Sequence, residues 1–137
     1  MLRYIRKVEF CEARHLHTAL LLPGRRSVLL PDPIAWEEIP AAGLAALTAE
    51  EEVSDGERVF NTSLTLRMPC PASLAQRAAF RLTDVEGRKL LVGLAARPHP
   101  LHTQEDAMPE RPADPSQTTL RVTWTSTLPP LIITETT

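Results

Sequence analysis

Ser54-Asp55-Gly56-Glu57-Arg58-Val59-Phe60-Asn61-Thr62-Ser63-Leu64-Thr65-Leu66-Arg67-Met68 decides the fold class. Large apolar side chains stand at 60, 64, 66 and 68, and polar ones at 61, 63, 65 and 67. Side chains of an extended chain alternate sides, so this period of two sets one face on a core and the other in water. Asp55-Gly56 comes just before it. That pair is a strong short-range hairpin signal, because a tight turn needs positive φ and glycine adopts it without steric cost. A strand over about 44–53 is therefore expected to fold back on 58–68, although Ala41 to Leu47 also has helical propensity.

Further strands follow outward from this hairpin. Phe80 to Thr83 and Arg88 to Leu94 flank Asp84-Val85-Glu86-Gly87 and predict a second hairpin, with Gly87 in the left-handed position. Leu120, Val122 and Trp124 alternate with Arg121, Thr123 and Thr125, and Leu131 to Ile133 form a last short strand after Pro129-Pro130. Upstream, Tyr4, Val8 and Phe10 share a parity that Arg6 breaks. Ala19–Leu22 and Ser27–Leu30 bracket a Pro23-Gly24 turn, and Ile34–Ile39 reads as a short strand. Ala72 to Ala78 has room for one helical turn. Residues 97–117 hold five prolines among charged and small residues and read as a long loop. The expectation is an all-β fold, a small antiparallel sandwich or barrel of about eight strands with proline-rich loops, in a single domain.

Composition agrees. The chain has 137 residues, 43% of them hydrophobic, with 13 prolines. Proline lacks an N–H and clashes inside a helix, so this number disfavours long helices. A net charge of −2 without a basic stripe gives no footprint for nucleic acid. Glu50-Glu51-Glu52 reads as a solvated strand edge or turn approach. No apolar run approaches the ~18 residues of a membrane span, and no leader pattern is visible. Two cysteines, Cys11 and Cys70, are too few for a disulfide framework. A cytoplasmic setting, or assembly into a virion-like particle, follows as an expectation, and Asn61-Thr62-Ser63 is then a chance sequon.

Chemistry-bearing residues are sparse. Cys11, His15 and His17 form a local group of soft ligands to which His99 and His102 could add further nitrogens, yet the spacing fits no zinc signature. Cys70 lies between prolines with no histidine beside it, so nothing activates a thiol. Carboxylates are scattered, and no glycine-rich loop is present to cradle phosphate. No cofactor and no enzymatic activity is expected. The residues singled out for interaction are Trp36, Arg97, His99 and Trp124. For the tryptophans, core filling is the ordinary use and an interface anchor the sharper one. The Thr-rich segment 118–127 suits a solvated sheet face or an edge open to strand addition.

Leu82-Thr83-Asp84-Val85-Glu86-Gly87-Arg88-Lys89-Leu90-Leu91-Val92-Gly93, followed by Arg97-Pro98-His99-Pro100, resembles small proteins encoded in bacterial prophages. The likeness covers about residues 78–137 and includes the Thr-rich final strand. It implies a structural or assembly role in a phage-like particle, with protein partners, the chain itself among them, and it carries over no catalytic residues. A small-molecule or peptide-binding β-barrel is the alternative. A metal-dependent hydrolase using His15, His17, His99 or His102 ranks third.

Overall fold

A computed structural model describes residues 2–24, 26–30, 34–69, 73–74, 76–95, 98–107 and 117–135. They form eleven strands and one short 3-10 turn, Ala13–Leu16. The strands are β1 (Leu2–Glu12), β2 (Leu20–Leu21), β3 (Ser27–Leu30), β4 (Glu37–Ile39), β5 (Ala45–Ser54), β6 (Glu57–Met68), β7 (Ala78–Asp84), β8 (Lys89–Val92), β9 (Leu101–Ala107), β10 (Gln117–Ser126) and β11 (Leu131–Glu135). No described helix is long and apolar enough to cross a membrane.

The pairing order is β2-β3-β11-β8-β7-β1-β5-β6-β10-β9, with β4 on β1. The chain is all-β as expected, but three details differ. There are more than eight strands. The path does not close into a barrel. And β11 runs parallel to β3, so the sheet is mixed. β1 is the pivot. One of its edges pairs with β7 over Ile5 to Glu12. Its other edge divides, Leu2 to Ile5 pairing with β5 and Val8 to Phe10 with β4. Beyond Ile5 the β5-β6-β10-β9 half therefore leaves β1 and faces the β7-β8-β11 half in a sandwich-like arrangement.

The register of that half follows from burial. On β6, Thr62, Leu64, Leu66 and Met68 point inward, and on β10 Leu120, Val122 and Trp124 do so. A one-residue slip would turn Leu120, Val122 and Trp124 to water, at ~1.5–3 kcal/mol for each large side chain. The opposing half contributes Val8, Phe10, Phe80, Leu82, Leu90 and Val92 to the same core. The β5–β6 hairpin turns at Asp55 (φ 51) and Gly56 (φ 80), both left-handed, as the Asp-Gly pair predicts.

Three further expectations need correction. Tyr4 is exposed and Ile5 buried, because a bulge between Ile5 and Lys7 shifts the parity at Arg6. The segment 97–117 is not one long loop. Leu101–Ala107 is β9, which carries no apolar alternation because its inner face sets His102, not an apolar residue, against Phe80; its strand partner among the described residues is β10. β10 is accordingly an inner strand whose Arg121, Thr123 and Thr125 are exposed, so of the two readings of 118–127 the solvated sheet face holds, and the edge position belongs to β9. Of the segment 72–78 read as having room for a helical turn, the described residues 73–74 and 76–77 are not helical, and Ala78 already belongs to β7.

Candidate functional site

The core-facing side of the β5–β6 hairpin loses its cover toward the turn. Leu47 and Leu64 pair across it and are both fully buried. The next pair on that face, Ala49 and Thr62, is half-buried and buried. Then come Glu51 with Phe60, exposed and half-buried, and Val53 with Arg58, where Val53 is 71% exposed. The hairpin is longer than the layer opposite it, so its last two core-facing pairs overhang. Glu51 and Arg58 form an ion pair of 3.3 Å at this overhang. Charged side chains sit on core-facing positions because there is no core beneath them.

Under the overhang the two layers part and leave a groove. Its roof is Ala49, Glu51 and Phe60. Its floor is Leu90 and Ile132, register partners on the same inward face, with Pro129 and Pro130 as the end wall. This cavity measures about 260 Å³, and Ile132 is 44% exposed within it. A second hollow of about 460 Å³ continues past Phe60 and Pro129 to Gly24, Arg26 and Thr127. Pro129-Pro130 ends β10's course and fixes the bend into β11, because proline sets φ and cannot donate to a ladder.

Charge at the groove is mostly internally paired. Arg3 bonds Asp84 at 3.1 Å, and Arg58 bonds Glu51. Arg26 has no ion-pair partner among the described residues, and Glu57 lines the same second hollow, so the mouth carries both signs of charge. Beneath the roof, Thr62 is 3% exposed and its hydroxyl oxygen has no hydrogen-bond partner. A buried hydroxyl left unpaired costs ~1–3 kcal/mol, so this end of the core is not fully optimised.

The residues singled out from the sequence lie elsewhere. Trp124 is 2% exposed; it fills the core, and its Nε1 donates to the Pro98 carbonyl at 3.0 Å. Trp36 is half-buried, with the Arg81 guanidinium 4.9 Å from its ring centre. Arg97 lies outside the described residues. His99 lines a different cleft of about 510 Å³ with Glu12, Ala13, Arg14, Gln76, Arg77 and Ala95. Its Nδ1 is buried, with no hydrogen-bond partner among the described residues. His15 on the 3-10 turn and His17 just after it are exposed, whereas His102 packs edge-on to Phe80 at 6.3 Å. No group of three or more His, Cys, Asp or Glu among the described residues stands ready to hold a metal ion. Cys11 is buried, and burial pushes its thiol up to about 12, against the pull of Arg81. Such a thiol is a small hydrophobe rather than a nucleophile.

The groove was not foreseen, yet a signal for it exists. Once 58–68 is paired with 44–53, Glu51 and Arg58 fall on the same parity as Leu47 and Leu64. Two charges on the core-facing side mark a hairpin that outruns its core. No known protein family, characterised protein or solved structure was found to match this chain.

Proposed function

We propose that this is a non-enzymatic interaction protein acting in assembly, which holds a partner segment in the groove beneath the β5–β6 overhang. The supporting observation is the gradient along that hairpin, from the buried pair Leu47 and Leu64 to the uncovered Phe60 and Val53. Apolar surface in a concave, preformed site gains free energy when a partner covers it, at roughly 25 cal/mol per Å² before the costs of association. The groove offers recognition chemistry: apolar walls, a rigid proline pair and charged groups of both signs at the mouth. Among the described residues it presents no nucleophile–base pair. The likeness of residues 78–137 to prophage-encoded proteins points the same way, toward a structural part of a phage-like particle whose partners are proteins.

The test is binding between this protein and the products of the genes adjacent to its own, followed by calorimetry. Phe60→Glu places a charge in the groove on a half-exposed position. It is expected to weaken the interaction at least tenfold while leaving the far-ultraviolet circular dichroism unchanged. A strictly monomeric protein that binds none of those products, or binds them equally well with Phe60→Glu, ends the proposal.

A further inference from the structure

We infer that the cleft beside His99 binds a small organic molecule carrying one carboxylate group. This site is separate from the groove beneath the hairpin and goes beyond the role proposed for it. One side of the cleft is the junction of β1 and β7. Glu12 pairs with Ala78 at the end of that ladder, and the Ala13 N–H donates to the Arg77 carbonyl at 2.8 Å, one bond further on. Arg14 on the 3-10 turn and Arg77 just before β7 thereby line one cleft, although they are far apart in sequence. The other side is the segment between β8 and β9, with Ala95 and His99. That segment is held on both flanks of His99: the Pro98 carbonyl accepts from the Trp124 indole, and Pro100 is buried beside Gly93. Both sides are fixed by these contacts, so the cleft of about 510 Å³ is preformed and has the size of a small-molecule site.

The charges lining this cleft do not cancel. Glu12 and Arg14 form an ion pair with each other. Arg77 is exposed and has no ion pair or side-chain hydrogen bond among the described residues. With Glu12 counted, one positive charge stands in excess. Gln76 adds an exposed amide donor. His99 is half-buried and its buried Nδ1 is unpaired, so the protein leaves a polar atom of this lining unsatisfied, as at sites that a ligand completes. A guanidinium takes a carboxylate through two parallel hydrogen bonds. The single excess charge decides between anions: a monocarboxylate matches it, whereas a phosphate dianion brings a second charge toward Glu12 with nothing to balance it. Ala13, Ala95 and the His99 ring offer an apolar and aromatic lining to the body of the ligand.

Titration with sodium benzoate tests this, followed by heteronuclear NMR of the backbone amides. Sodium chloride holds the ionic strength constant, and inorganic phosphate is the second probe. Benzoate is expected to shift the amide signals of Ala13, Arg14, Arg77 and Ala95 saturably, with a Kd of about 1 mM, the scale of one ion pair and a partly covered ring. Phosphate is expected to bind at least tenfold more weakly. Arg77→Gln is expected to weaken benzoate about tenfold, by loss of a charge-assisted pair. Glu12→Gln is expected to tighten it about threefold, the scale of an exposed ion contact, because it releases Arg14 and removes the negative charge from the described lining. Both side chains reach solvent, and thermal melts check that each variant folds. Shifts that do not saturate or that scatter over the surface, phosphate binding as tight as benzoate, or an affinity that neither substitution changes would each overturn the carboxylate site. None of these outcomes bears on the Phe60 groove, which is tested by its own variant.

Discussion

Arg81 reaches across from β7 to Glu9 of β1 and holds it with two hydrogen bonds, Nε to Oε1 at 3.0 Å and Nη2 to Oε2 at 2.6 Å. Both side chains are largely buried, and the Trp36 ring lies over the guanidinium. The pair therefore sits between a sheet face and an indole lid, where water screens it little. Removing one partner leaves an uncompensated charge in that place. Arg81→Leu is expected to cost about 2–4 kcal/mol in urea unfolding, whereas Glu9→Leu with Arg81→Leu together recovers most of the loss. If the double change costs the sum of the two single changes, the ion pair is not what the site stabilises. Trp36 emission reports the same event, since its cation neighbour disappears.

Asp84 ties the β7–β8 turn. One carboxyl oxygen accepts from the backbone N–H of Glu86 at 2.9 Å and of Arg88 at 2.8 Å, and the other pairs with Arg3 at 3.1 Å. Burial alone would raise its pKa. The two N–H donors and Arg3 outweigh burial and hold it below the ordinary 3.8. The unfolded chain thus takes up this proton first as pH falls. The contribution to stability is complete above the unfolded value and is lost on descending through the folded one, below about pH 4. Asp84→Asn keeps an acceptor for the turn but cannot titrate. Its stability is expected to be lower at pH 7 and to fall less between pH 5 and pH 2.5. Parallel acid profiles for the two proteins would exclude Asp84 as the source. Asp84→Ala, which removes the acceptor of two turn N–H groups and one partner of Arg3, is expected to cost about 1–3 kcal/mol.

Cys11 offers a probe of opening. With its thiol pushed up to about 12, only about one molecule in 10⁴ carries a thiolate at pH 8, and the side chain is buried as well. In a Cys70→Ser background, labelling of Cys11 by an aromatic disulfide reagent is expected to follow the global unfolding rate across a urea series. Labelling at a rate independent of urea would mean that β1 opens locally at its junction with the 3-10 turn.

How far the residues reveal all this depends on what each segment buries. Residues 60–68 alternate cleanly because every second side chain meets the core, and 120–124 do the same. Leu2–Glu12 does not alternate throughout, because the bulge at Arg6 moves the inward parity from Ile5 to Val8 and Phe10. Leu101–Ala107 shows no pattern because an edge strand held by backbone hydrogen bonds needs none, and its neighbouring prolines suggest a loop. Trp124 was legible as core and Trp36 was not legible as a lid, since the Arg81 beneath it is 45 residues away in sequence. The groove needs the pairing of 44–53 with 58–68 and the position of Pro129-Pro130 together. Neither hairpin nor prolines shows it alone.

Gly93 fixes the path that leads from β8 toward β9. Its φ is +101, and a Cβ built there would stand 2.8 Å from both Cδ and Cγ of Pro100 and 3.4 Å from Cα of Ala79. The proline ring cannot rotate away, and the adjoining Pro98 carbonyl is held by the Trp124 indole. Gly87, at the β7–β8 turn, has a similar φ of +91 but nothing within 4 Å of the same added atom. The two glycines therefore separate backbone strain from steric overlap. Gly87→Ala is expected to cost about 1 kcal/mol, the strain of the left-handed conformation alone. Gly93→Ala adds a clash between rigid partners and is expected to cost about 2–4 kcal/mol. If the clash is relieved by moving residues 98–100, Trp124 loses its acceptor and its fluorescence changes in the folded state of Gly93→Ala but not of Gly87→Ala. Equal losses of stability in the two variants would mean that Pro100 yields freely, and that the segment entering β9 is held by β10 rather than by Gly93.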